Sequence, residues 1–247
     1  MNNTRVASII YAATAALLFA VPDLAIAQPA AEGGAGLNYS LIDLIKFGGW
    51  VGYIIILLSV AAVALVIEYA ISIRPKVLIP EADVEELKKK IEAGSYDEIV
   101  AKLKNGDTSF VATVVARGVK EQDRGYDAVI KGMEDASDEL TGRLLRKIEH
   151  LNIIANISPM LGLLGTVMGM VNSFNQISVS VGGVDPRRLA SGIFEALMTT
   201  VMGLIVAIPA LYAFGLFRNR VDSVAATVAA TAEDLVEPLK KGSREVR

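Results

Sequence analysis

The chain has 247 residues, 53% of them hydrophobic, with a mean hydropathy of +0.46, too apolar for an ordinary soluble domain but compatible with a sizeable water-exposed portion. A net charge of −3 and the lack of a long basic run argue against a nucleic-acid partner. There is no cysteine and one histidine, His150, which leaves no disulfide, thiolate metal site, cysteine nucleophile or imidazole cluster within one chain; the composition is that of a polytopic membrane protein, not an enzyme.

Residues 1–27 read as a secretory signal peptide: Arg5 precedes an apolar core from Val6 to Val21, and Ala25-Ile26-Ala27 before Gln28 matches a small-x-small cleavage pattern. The competing reading is an uncleaved extra span, for which the core is short and interrupted by Pro22-Asp23. Residues 28–48 form a Pro, Ala and Gly linker with a short amphipathic helix from Ser40 to Phe47, followed by Trp50 and Tyr53 as interfacial anchors. The first mature span is expected at 49–73, closed by Arg74-Pro75-Lys76. Glu68, near its end, is read as a carboxylate that reaches the interface or pairs with Arg74, not as a proton site.

Residues 74–150 are polar and helical in pattern. The stretch from Glu81 to Ala93 ends at Gly94, a C-cap signal; Ser95 is placed to cap Tyr96 to Lys104 before Asn105-Gly106; Thr108 to Gln122 gives a third helix, with an interruption at Gly125. The run Lys88-Lys89-Lys90 most simply solvates a helix face. From Tyr126 the helical pattern passes straight into the second span, 151–176, predicting a long helix that extends from the membrane into the cytoplasm. In that span Gly162, Gly165, Gly169 and Ser173 fall at small-residue spacing with Thr166 beside them, which signals tight helix packing, and Pro159 is a kink candidate.

A turn at 177–188 leads into the third span, 189–217, with a helix-prone cytoplasmic tail over 218–247. The third span carries one acid, Glu195. An ionisable side chain inside a membrane costs roughly 2.5 to 3.5 kcal/mol on insertion scales and normally faces a bundle interior or a wet cavity. Gly192, Ala196, Thr200, Gly203 and Ala207 share one helix face, and Ile193, Leu197, Val201, Leu204, Ile208 and Leu211 the opposite, lipid-compatible one. Pro209 is expected to bend the span. Basic residues near the span ends (Arg74, Lys76, Arg143, Arg146, Lys147, Arg218 and Arg220 against Lys46, Arg187 and Arg188) place the large loop and the tail in the cytoplasm and the N-terminus outside.

At a helical rise of about 1.5 Å per residue, Glu195 lies about 9 Å past Leu189, Thr200 about 16 Å, and Thr166 about 10 Å in from Ser173, so acid and hydroxyls share the outer to middle depth. There they can line a hydrated path in which the acid exchanges a proton. Two plainer readings stay open: Thr166, Thr199 and Thr200 as interhelical packing or bonds back to a preceding carbonyl, and Glu195 as a structural partner of Arg187 or Arg188. Nothing in the spacing separates H⁺ from Na⁺, and no cofactor is called for.

The segments SPMLGLLGTVMGM (158–170) and GIFEALMTTVMGLIVAIPAL (192–211), with the topology over nearly all of the mature chain, resemble the MotA/TolQ/ExbB proton-channel family, most closely its ExbB and TolQ branch. The resemblance implies an all-α fold of three spans in a homo-oligomeric ring, commonly of five copies. That ring encloses single-span ExbD or TolR-like partners whose membrane aspartate carries the proton. Thr166 would then be the motif threonine of the second span, Glu195 the acid of the third, Thr200 the hydroxyl five residues on, and Pro209 the recurrent proline. It further implies a bacterial inner-membrane motor that passes force through TonB or TolA-like proteins, serving either TonB-dependent uptake or envelope maintenance; stators for gliding or polymer export share the chemistry. MotA has an additional span and fits less well. A rival from another class is a passive membrane scaffold, while three spans without inverted repeats give no solute site.

Overall fold

The computed structural model describes residues 49–102, 109–179 and 186–242, and among them every regular element is helical. The expected signal peptide and 28–48 linker, the Asn105-Gly106 turn and residues 180–185 of the expected 177–188 turn lie outside the described residues. Helices are α1 (Gly49–Ser72), α2 (Pro75–Leu78), α3 (Glu81–Glu92), α4 (Tyr96–Lys102), α5 (Phe110–Val119), α6 (Tyr126–Val179) and α7 (Pro186–Gly242), with a 3-10 turn at Gln122–Arg124. Helices α1, α6 and α7 each contain a segment long and apolar enough to cross a membrane. Both long helices run unbroken through their prolines, Pro159 and Pro209. The chain divides into two compact units, one of 1–67 and 151–213, the other of 68–150 and 214–247.

The first unit is apolar outside as well as inside. Leu57 is 69% exposed, Leu197 59% and Ile208 61%, an apolar exterior that a water-soluble monomer rarely shows and a bilayer accommodates. Val51 and Ile55 of α1 pack with Met202 of α7, and Ile56, Leu161 and Val206 close around them. In this unit α6 also meets α7 closely at Gly162, Gly165, Gly169 and Gly203.

The second unit is built for water. Its core is aliphatic and centred on α5, whose Val111, Val115 and Val119 are fully buried. Leu87, Ile91 and Ile99 cover α5 from α3 and α4, Val129 and Met133 from α6, and Val224, Val228 and Val236 from α7. Segments far apart in sequence thus share one hydrophobic core, with the charged residues outside. Local signals fix the helix ends. Gly94 has φ +72°, the left-handed conformation favoured by glycine, and the amides of Gly94 and Ser95 donate to the carbonyls of Ile91 (3.1 Å) and Lys90 (2.9 Å), which closes α3 with paired C-terminal hydrogen bonds. The Ser109 hydroxyl accepts from Ala112 N–H at 3.4 Å and starts α5 at Phe110, two residues later than the composition suggested.

Within this unit the last turn of α1 is anchored through Glu68 and Tyr69. The Glu68 carboxylate pairs with Lys147 at 2.7 Å instead of Arg74, whose Nε donates to Ala70 C=O at 2.7 Å. The Tyr69 hydroxyl donates to the Lys147 carbonyl at 2.6 Å, the Lys147 ammonium stands 5.8 Å from the Tyr69 ring centre, and Phe217 meets that ring edge-on at 5.9 Å. Glu68 is thereby a structural residue, held by a helix that the sequence alone did not connect to it.

Candidate functional site

Helices α6 and α7 meet in the first unit along an antiparallel ladder of small side chains. Ser173 faces Gly192, Gly169 faces Ala196, Gly165 faces Thr199, Gly162 faces Thr199 and Thr200, and Gly203 faces Ser158. The approach is close: a methyl group at Gly162 would stand 2.8 Å from Thr200 Cα and 2.9 Å from the Thr199 carbonyl oxygen, and one at Gly203 only 2.5 Å from the Ser158 carbonyl oxygen. Backbone atoms cannot turn aside as side chains can, so glycine is required at these crossings for room, as in other close helix pairs of membranes.

The hydroxyls along this ladder are tied to carbonyls. Ser158 donates to Ile154 C=O (2.7 Å), Thr166 to Leu163 C=O (2.7 Å) and Ser173 to Gly169 C=O (2.9 Å), all within α6. Thr199 is shared: its hydroxyl donates to Ala196 C=O at 2.7 Å on its own helix and to Gly162 C=O at 3.1 Å on the other. The two plain readings of a membrane threonine, local back-bonding and interhelical bonding, are combined in this one residue. Thr200 differs, since its hydroxyl is buried without a hydrogen-bond partner among the described residues.

Toward the end of the ladder that carries Ser173 and Gly192, α1 leaves a cleft of about 240 Å³. Glu195, Thr199, Ser173, Asn172 and Gln176 supply its polar lining, Trp50 and Met168 its apolar walls, and Gly165, Gly169 and Gly192 its room. Glu195 is half-buried, and among the described residues no ion pair or hydrogen bond reaches its carboxylate. A charged acid in this setting needs water or a cation. The cleft is large enough for several waters, given about 30 Å³ per molecule in the liquid. Among the described residues no group of His, Cys, Asp and Glu is arranged to hold a metal.

The structure therefore brings Glu195 and Thr199 to one cleft, with Gly165 and Gly169 in its wall, and sets Gly162 and Gly203 at the tightest part of the same helix pair. Thr166 is buried on α6, the hydroxyl of Thr200 is buried on α7, and neither residue lines the cleft. Pro159 and Pro209 lie away from it on the same two helices. Asn172 and Gln176 were missed as site residues. The signal was available: with Gly165 and Gly169 they fall 4, 3 and 4 residues apart, continuing the small-residue face of α6 in polar form.

Comparison with known proteins matches residues 102–230, which include Thr166, the cleft residues of α6 and Glu195, to the MotA/TolQ/ExbB proton channel family. A Synechocystis biopolymer transport protein, ExbB-like 3, is 32% identical over 178 residues, 70% of this chain and 82% of that relative. The biopolymer transport protein ExbB of Salmonella typhimurium is 38% identical over 35% of each chain, and the Tol-Pal system protein TolQ of Haemophilus influenzae is 34% identical over 40% of this chain and 44% of that one. With other curated relatives the match is local, spanning 33% and 27% of their length. The family match covers more than half of the sequence and takes in the whole α6–α7 ladder, and the Synechocystis relative is matched over most of its length, so this chain belongs to the MotA/TolQ/ExbB proton channel family.

Proposed function

We propose that this chain is the ion-path subunit of a proton-driven stator in a bacterial inner membrane, with Glu195 as the exchanging acid. The observation that carries the reading is the half-buried Glu195 carboxylate facing a cleft with polar lining in the apolar unit, without a neutralising partner among the described residues. An acid so placed is a functional group by default, because a purely structural one would be paired. Thr199 supports the wall of the path by tying α7 to α6, and the small-residue faces suit close helix packing within a ring.

One acid among the described residues of the apolar unit does not make a complete proton wire. The missing group comes from a partner, which the family resemblance identifies as an ExbD or TolR-like single-span protein with a membrane aspartate, enclosed by a ring of this chain, commonly five copies. The basic residues at the span ends put the second unit in the cytoplasm and the N-terminus in the periplasm. Each proton crossing 100 mV releases about 2.3 kcal/mol, so a few protons drive a sizeable conformational step in the partner. In the ExbB-like form that step powers TonB-dependent transport. The TolQ-like role in envelope maintenance is the second reading, favoured by the TolQ match at an identity close to that of ExbB. The two differ in partner, not in membrane chemistry.

Native mass spectrometry after co-expression with the neighbouring small single-span gene products tests the architecture. A ring of this chain around a partner with a membrane aspartate is expected, and that partner assigns the branch. A lone oligomer that captures none of them would favour the passive scaffold.

A further inference from the structure

The cleft holds few hydrogen-bond donors able to serve a carboxylate. The Thr199 hydroxyl proton is shared between the Ala196 and Gly162 carbonyls, and the Ser173 proton is committed to Gly169 C=O. Each hydroxyl has one proton, so neither has another for Glu195. Gln176 already holds an interaction of its own. Among the described residues of the lining, the side-chain donors that remain are the Asn172 amide on α6 and the indole N–H of Trp50 on α1, a residue more than half exposed. Asn172 follows Gly169 by one turn on the face that carries Gly165, and it lines the same cleft as Glu195. A carboxamide is uncharged at every relevant pH, offers two N–H donors and an acceptor, and keeps water where an apolar group would expel it.

We propose that Asn172 is the positioning residue of the ion path, its amide holding water against the Glu195 carboxylate so that the acid is solvated and open to proton exchange from the cleft. This rests on the reading of Glu195 as the exchanging acid. Donors and water favour the charged form of an acid and so lower the pH at which it takes up a proton; an apolar replacement raises that pH. Among the described residues no other ionisable side chain lines the cleft. None of the described residues that α1 and α6 bring to the cleft titrates, and on α7 Arg187 precedes Glu195 by about two turns and does not line it.

Trp50, the only tryptophan in the sequence, lines the same cleft and reports on it. The full-length chain, reconstituted in nanodiscs of phosphatidylethanolamine and phosphatidylglycerol, should show one pH-dependent step in tryptophan emission, absent from Glu195→Gln. In Asn172→Leu the midpoint should rise by about one pH unit, the scale of a lost hydrogen bond to a charged group, and Asn172→Ser should restore it. Carbodiimide labelling of Glu195, followed by mass spectrometry, should move to higher pH in step. If the leucine variant fails to insert, Asn172→Met provides the same comparison with a flexible side chain. An unchanged midpoint in the apolar variants overturns the role of Asn172. A step that survives in Glu195→Gln overturns it as well, because the titrating group then lies elsewhere. Proton transport by the same variants is read separately: loss of the shift with transport still dependent on Glu195 removes only Asn172, whereas transport that persists in Glu195→Gln removes the ion-path reading itself.

Discussion

The two units of this chain share α1, α6 and α7 yet are packed by opposite rules. In the second unit the helices are held by large side chains: α5 is a run of valines buried among Leu87, Ile91, Val129 and Val228, with charges outside. In the first unit, beyond a small cluster around Val51, Ile55 and Met202, many large side chains are outside, and α6 meets α7 through Gly162, Gly165, Gly169, Ala196 and Gly203. The solvent explains the inversion. In water, burying a large aliphatic group is the main driving force. In lipid there is little to gain from hiding leucine, so helices associate through close backbone contact, and only small residues allow it. The same rule leaves room for polar groups: beside α1, Glu195 and Asn172 share a cleft that an aliphatic core would have filled.

That contrast predicts which substitutions hurt and where. Truncation should be most costly in the second unit: Leu87→Ala is expected to lose about 2–5 kcal/mol of stability in denaturant unfolding, because Leu87 is 2% exposed within the aliphatic core. The matching truncation in the first unit, Leu197→Ala, should cost well under that, about 1 kcal/mol or less, since a lipid-facing leucine leaves no cavity. A similar loss in both would remove the distinction.

Enlargement should reverse the order. Gly203→Ala places a methyl against the Ser158 carbonyl and should cost about 1–3 kcal/mol, read by steric trapping or thermal unfolding in lipid. Gly192→Ala meets the Ser173 hydroxyl group, which can rotate away, and should cost less. Thr199→Val removes the bond to Gly162 C=O with little change of shape, and about 0.6 kcal/mol is expected from membrane hydrogen bonds of this kind. The smallest effect belongs to the partly exposed Glu68–Lys147 pair: Lys147→Met should change stability by about 0–1 kcal/mol, with that difference shrinking in high salt.

Much of this arrangement is legible in the residues because membrane packing is local in pattern. The small face of the third span and its greasy face are read from spacing alone, and the structure exposes all six of Ile193, Leu197, Val201, Leu204, Ile208 and Leu211. Gly94 as a helix terminator is equally local, since it depends on one backbone conformation. What spacing does not reveal is which helix supplies a partner. Glu68 looked toward Arg74, its sequence neighbour, but the arginine is taken up by Ala70 C=O and Lys147 arrives from α6. The same limit hid the cleft: Asn172 reads as one more polar residue near a span end until α1 and α7 enclose the space beside it. Thr166, Thr199 and Thr200 were indistinguishable by composition, and only the helix register gives Thr199 a carbonyl across the pair while leaving the Thr200 hydroxyl without one.

Proton flux tests the central claim most directly. The chain and its single-span partner, co-reconstituted in liposomes with an imposed membrane potential and an internal pH dye, should acidify the lumen or the bath according to the sign of the potential. In Glu195→Gln the complex should assemble with unchanged mass while the flux falls to the leak of empty liposomes. Flux retained in that variant, with the complex intact, would contradict the account and leave Glu195 a structural residue.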